Sequence, residues 1–192
     1  LALGTDRKLY IYNEGAVFDI TPIRETQALN NPFTTNGTTT VSVADTSHNA
    51  IQGDFVTFDS FSSIDGLDMN QEFEITSITD ANNYTVTHTS TASGSTSGGG
   101  GSGNAKYQIN VGPATSTYGL GWGTDTWSSG TWGTASSASD VVLVGRNWSL
   151  DNFGEDLIAT VLDGGTFIWD TSAGTGTRAT ALSNAPTASR FS

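Results

Sequence analysis

The stretch Trp148-Ser-Leu-Asp-Asn-Phe-Gly-Glu-Asp-Leu-Ile-Ala-Thr-Val-Leu-Asp-Gly-Gly-Thr-Phe-Ile-Trp-Asp170 decides the fold class. Two short apolar runs, 157–162 and 166–169, flank Asp163-Gly164-Gly165. Glycine adopts positive φ at no steric cost, so this composition predicts a tight hairpin turn between two strands. The opening of the chain repeats the design: residues 6–12, then Asn13-Glu14-Gly15, then residues 16–20. A Gly-x-Asp precedes the first strand of each copy (4–6 and 154–156), and Asp19 and Asp170 lie near the end of the second, one residue out of register. A recurring hairpin unit is the way sheet-blade architectures are written, so the repeat reads as a scaffold.

The rest of the composition agrees. No window carries a helical apolar stripe; the apolar residues come in short runs, in a chain rich in Gly, Ser and Thr. That pattern predicts an all-β protein built of antiparallel strands. Among its 192 residues are five Trp, nine Phe and five Tyr, enough aromatic volume to fill a core. With 19 acidic residues against seven Lys and Arg the net charge is −12, which excludes a surface that grips phosphates. Such a charge suits solubility, or a surface past which nucleic acid slides without binding. The chain has no Cys, so it holds neither disulfides nor thiolate metal sites. No apolar run is long enough to predict a membrane span. Leu1 opens in what reads as the middle of a blade, so a longer polypeptide is expected.

From about residue 34 the texture changes. Val41 and Val43 share one face of a period-two run, and Phe73 and Ile75 share a face of another. With the strands at 55–58 and 84–87 and a closing strand at 106–109, this predicts a small β-barrel or sandwich module at 34–109. It would be inserted into a propeller-like host formed by 1–33 and 110–192. Residues 90–104, almost entirely Ser, Thr and Gly, read as a mobile hairpin tip of the module. After it come Tyr118, Trp122, Trp127 and Trp132, the tryptophans spaced by five. Five is neither a helical nor a strand period, so a looping ribbon with aromatic pegs is expected. Those rings, with Trp148 and Trp169, are candidates for packing or a subunit interface; stacking on sugar rings is the alternative.

Chemistry-bearing constellations are sparse. His48 and His88 lie far apart and are expected to be solvated or structural. The pairs Glu155–Asp156 and Glu72–Glu74 read as a wet turn and a solvent-facing strand side. Asp151, Asp163 and Asp170 lack the spacing of a calcium loop. No catalytic residue, metal or cofactor is therefore expected.

Several segments resemble virion proteins of short-tailed bacteriophages. They are Gly4-Thr-Asp-Arg-Lys-Leu-Tyr-Ile-Tyr12 with Phe18-Asp-Ile-Thr-Pro-Ile-Arg24, Gly121-Trp-Gly with Gly130-Thr-Trp-Gly133, the segment 148–157, and Asn184-Ala-Pro with Arg190-Phe191. The similar group is the tail nozzle proteins, also called packaged-DNA-stabilisation or tail tubular proteins. The insert, through residues 46–56 and 75–84, is similar to a β module of phage structural proteins, with His48-Asn49 where His-Gly is usual. The resemblance implies a β-propeller-like host in a homo-oligomeric ring of the virion tail. Such a ring contacts other tail proteins and conducts DNA without sequence-specific binding. Two other readings remain: a receptor- or carbohydrate-binding tail module directed at a host surface glycan, and an extracellular adhesin or filament subunit.

Overall fold

The computed structural model describes residues 1–109, 147–162 and 164–186. Tyr118, Trp122, Trp127, Trp132 and Asp163 lie outside them. The described residues form an all-β protein of antiparallel sheets, with a single 3-10 turn at Thr171–Ala173. The chain divides into two compact units, one of Leu1–Ile20, Val111–Thr177 and Ala181–Ser192, the other of Thr21–Asn110 with Arg178–Thr180.

In the first unit the opening residues make a three-stranded meander, β1 (Ala2–Gly4), β2 (Leu9–Asn13) and β3 (Ala16–Asp19). Asn13 pairs with Ala16, which leaves Glu14 and Gly15 as the turn, at φ 49° and 89°. Positive φ at both central residues is the mirror-image turn whose twist matches that of the strands. The strands alternate: Leu9 and Ile11 are buried, while Leu3, Tyr12 and Val17 emerge on the opposite face. The counterpart sheet has the order β11 (Trp148–Phe153), β12 (Asp156–Val161), β13 (Thr166–Trp169) and β14 (Thr180–Ala181).

Its turns differ from expectation. The Gly-x-Asp at 154–156 is itself the β11–β12 turn, with Phe153 paired to Asp156 and Gly154 at φ 69°. The β12–β13 connection closes on two backbone hydrogen bonds. Val161 N–H donates to Gly165 O at 3.1 Å and Gly164 N–H to Val161 O at 2.9 Å. Gly165 lies outside the left-handed region, so a positive φ is not what it supplies.

The second unit holds a seven-stranded sheet in the order β4 (Ile23–Asn30), β10 (Ser102–Gln108), β7 (Phe55–Asp59), β8 (Glu72–Asp80), β9 (Asn83–Thr87), β6 (Thr40–Ala44) and β5 (Phe33–Thr34). Strand β8 pairs with β7 through Glu72–Glu74 and with β9 from Ile75 onward, and its register shifts between Ile75 and Ser77. One residue out of step bends the strand, and with it the sheet, around a core. Val41, Val43, Phe73 and Ile75 all face that core, as the period-two pattern predicts. Phe33, Phe58 and Phe61 form its aromatic centre, their centroids 4.8–5.9 Å apart and edge-on.

Three expectations change here. The sheet is not a closed barrel: β4 and β5 are its two ends. The compact unit begins at Thr21, whereas composition placed the change at 34, because β4 pairs with β10 along most of its length. Residues 90–104 are not a mobile hairpin tip. Strands β9 and β10 are not neighbours, so this segment is a crossover, and it is bonded throughout.

The crossover is fixed by Asp65, whose carboxylate accepts from the hydroxyls of Thr35 and Thr96, the latter at 3.0 Å. Asp65 O accepts from Ser93 N–H at 2.9 Å, and Gly99 and Phe33 exchange both backbone hydrogen bonds, at 2.8 and 3.2 Å. The glycines serve closeness: a Cβ on Gly100 would stand 2.5 Å from the Phe33 ring. Replacing Asp65 with Ala should destabilise this unit by about 2 kcal/mol, since two hydroxyls lose their acceptor. It also forces Ala into the φ 47° that Asp65 adopts. Asp65→Asn, which tolerates that φ and keeps an acceptor, should lose less than half as much in urea unfolding.

Candidate functional site

Trp148 and Trp169 are the two described members of the aromatic set, and both make contacts within this chain. Trp148 is half-buried on Gly4, where an added Cβ would lie 2.6–2.8 Å from its side chain. Its indole Nε1–H donates to Thr5 O at 2.9 Å. A glycine in β1 thus leaves the space into which β11 sets its first side chain, and the two meanders of this unit join there. Trp169 is buried, with Nε1–H donating to Thr177 O at 3.1 Å. Trp148→Ala removes the ring and the hydrogen bond together and should cost about 2 kcal/mol, read as faster hydrogen exchange at Leu9 and Ile11. Trp148→Phe keeps an aromatic ring on Gly4 but loses the indole N–H, and should cost about half that.

Beside this junction lies an open cleft of about 680 Å³. Ile11, Leu157 and Trp169 contribute apolar surface; Asn13, Asn152, Glu155, Asp156, Thr171 and Thr175 bring amides, carboxylates and hydroxyls. Tyr12, 44 % exposed, also lines it. Thr171 N–H donates to Asp156 Oδ1 at 3.1 Å, and the Thr171 hydroxyl donates to Glu155 O, so the 3-10 turn is tied to the β11–β12 turn. Asp170 caps that turn. Its Oδ1 accepts from the Ser172 hydroxyl at 2.6 Å and from Ser172 N–H at 2.8 Å, and these bonds hold its carboxyl below the usual range. Asp151 likewise accepts from Asn152 N–H at 2.8 Å. Among the described residues no group of three or more His, Asp or Glu is placed to hold a metal ion.

The seven-stranded unit carries its chemistry inside. Tyr107 O–H donates to Asp45 Oδ2, and the hydroxyls of Tyr84 and Tyr107 lie 2.8 Å apart. The Arg24 guanidinium stands 5.0 Å from the Tyr107 ring centroid and donates from Nη2 to His48 O at 2.9 Å. Burial, partly opposed by the Tyr107 hydrogen bond, raises the Asp45 carboxyl above its ordinary value. Burial likewise raises both tyrosine hydroxyls. Asp45 Oδ1 is buried without a protein partner, so the network is incomplete at one atom.

Both histidines are structural rather than solvated, at 1 % and 8 % exposure for His48 and His88. Each accepts at Nδ1 from the backbone N–H two residues on, Ala50 at 3.0 Å and Ser90 at 2.9 Å. His48 Nε2 then faces Asp80 O at 3.1 Å, and His88 Nε2 faces Asp68 O at 3.2 Å, each an acceptor for the remaining ring proton. Glu72 accepts from Gln108 and lies 3.5 Å from Arg178 Nη2, whereas Glu74 is exposed.

Sequence reasoning did not find the cleft, whose walls come from residues 11–13, 152–157 and 169–175. The one available signal was Tyr12, an aromatic on the face of β2 opposite Leu9 and Ile11. The Asp45–Tyr107–Tyr84 chain likewise joins residues from three strands or strand ends, with no motif to mark it.

No protein-family model matches the chain, and no curated protein does. Among solved structures it is similar to the Phage phi92 endosialidase at TM-score 0.38 and 13 % identity, over 94 % of this chain and 28 % of that one. The chain thus spans about 28 % of the length of that structure. A likeness this distant assigns neither a family nor an activity, and the function rests on the geometry above.

Proposed function

We propose that the chain is a structural component of a bacteriophage tail, a β-scaffold of the nozzle or tail-tube ring that holds and conducts DNA, without enzymatic activity. The observation that carries this reading is the junction of Trp148 with Gly4 and Thr5. Through it the opening meander touches its later counterpart, as neighbouring blades of a repeat would. The inserted unit fits the same role: Asp65, Thr35 and Thr96 hold its crossover, and Asp45, Tyr84 and Tyr107 bond within its core. The acidic balance of the chain, −12 overall, suits a surface that DNA passes without adhering. The sequence resemblance to tail nozzle proteins points the same way.

Gold-labelled antibody raised against the chain tests the assignment on intact particles. Label at the distal end of a short tail supports the nozzle role. Label on projecting fibres or spikes contradicts it and moves the assignment to a receptor-binding module.

A further inference from the structure

We propose that the cleft between the two meanders binds a neutral saccharide. Its volume of about 680 Å³ lies within the span of small-molecule sites, roughly 300–1,000 Å³. The lining matches the two surfaces a sugar offers. Leu157 and Trp169 contribute apolar area for C–H faces, and Tyr12, 44 % exposed, adds an aromatic that is apolar along its ring and polar at its tip. Around them stand Asn13 and Asn152, which both donate and accept, Thr171 and Thr175, and the acceptor-only carboxylates of Glu155 and Asp156. Sugar hydroxyls, which both donate and accept, match the amides, the Thr175 hydroxyl and the carboxylate oxygens, while the Thr171 N–H and hydroxyl are already held by Asp156 and Glu155 O.

The same carboxylates select charge. A sialylated or phosphorylated glycan would bring an anion against Glu155 and Asp156 in a chain already at −12, and like charge repels it. Among saccharides, the site therefore favours neutral sugars over acidic ones. The proposal is independent of the ring assignment, which stands or falls without it.

The test is a titration of the ¹⁵N-labelled chain with a neutral glucose trisaccharide, a neutral N-acetylglucosamine trisaccharide and a sialylated trisaccharide, followed through the Asn13 and Asn152 side-chain amides. The expected result is a saturable shift of both amides with at least one neutral sugar and none with the sialylated one. Tyr12→Ala should weaken binding by at least about tenfold, or about 1.4 kcal/mol. Should Tyr12→Ala fail to fold, Glu155→Gln at an exposed turn position serves instead, and it should raise affinity for the sialylated sugar relative to the neutral one. Absence of a saturable shift with both neutral sugars overturns the proposal. So does binding of a Lys-rich peptide at these amides in their place, or sugar binding that both variants leave unchanged.

Discussion

Replacing Phe33 with Ala is expected to lower the stability of the seven-stranded unit by about 4 kcal/mol, the largest effect of any substitution considered. Phe33 is fully buried in the two-residue strand β5, with its ring 5.0 Å from Phe58 and 4.8 Å from Phe61. Truncation leaves a void where three edge-on rings meet, and interiors packed at crystal density fill such voids poorly. It also frees the crossover, because Gly100 rests against that ring and Gly99 is bonded to the Phe33 backbone. Two-state urea unfolding should show the loss, with hydrogen exchange rising first at residues 93–101. Phe153→Ala, at a side chain 74 % exposed, should change stability by no more than about 0.5 kcal/mol. Equal effects at the two sites would contradict the packing described.

Tyr107→Phe is expected to cost about 3 kcal/mol at pH 7, because it removes the hydrogen-bond donor from a buried carboxylate already unpartnered at Oδ1. The cost has a pH signature. Burial raises the folded-state value of Asp45 above its unfolded one, so the folded chain holds this proton to higher pH than the unfolded chain does. Between the two values the native state binds more protons, and stability contributed by Asp45 falls as pH rises. It is fully present below about pH 4 and lost once the folded value is passed. Tyr107→Phe should raise that folded value further and steepen the fall. Asp45→Asn, whose amide oxygen still accepts from Tyr107, should flatten it and be no less stable than the parent at pH 7. Unfolding free energies of the parent and both variants from pH 4 to pH 7 check the sign; a stability that rises through this window in the parent but not in Asp45→Asn contradicts it.

Where one face of a strand is buried and the other wet, the sequence states the fold plainly. Val41 and Val43, or Phe73 and Ile75, alternate with polar neighbours, and that alternation is the sheet's own period. The turn after Asn13 was legible through Gly15, at φ 89°, although Asn13 itself ends the strand and Glu14 takes the other positive φ. Residues 90–104 misled for a physical reason. Ser, Thr and Gly compose flexible linkers, but the same small residues let backbone approach the Phe33 ring and the Asp65 carboxylate at close range. Only the partner, more than twenty residues away, separates the two cases. The start of the second unit was hidden likewise: β4 is polar and half-exposed, and its allegiance is set by hydrogen bonds to β10. The cleft was illegible because three distant segments build it. The aromatic pegs Trp122, Trp127 and Trp132 lie outside the described residues, so their predicted packing rests on the sequence.

The most direct measurement of the central claim is electron microscopy of the intact particle with class averaging, read for symmetry at the position of this chain. The account predicts a closed ring of identical subunits at the tail, with the two meanders resolved as neighbouring sheets of one scaffold. A helical fibre joined by strand exchange, or a lone monomer on a tail spike, would contradict it.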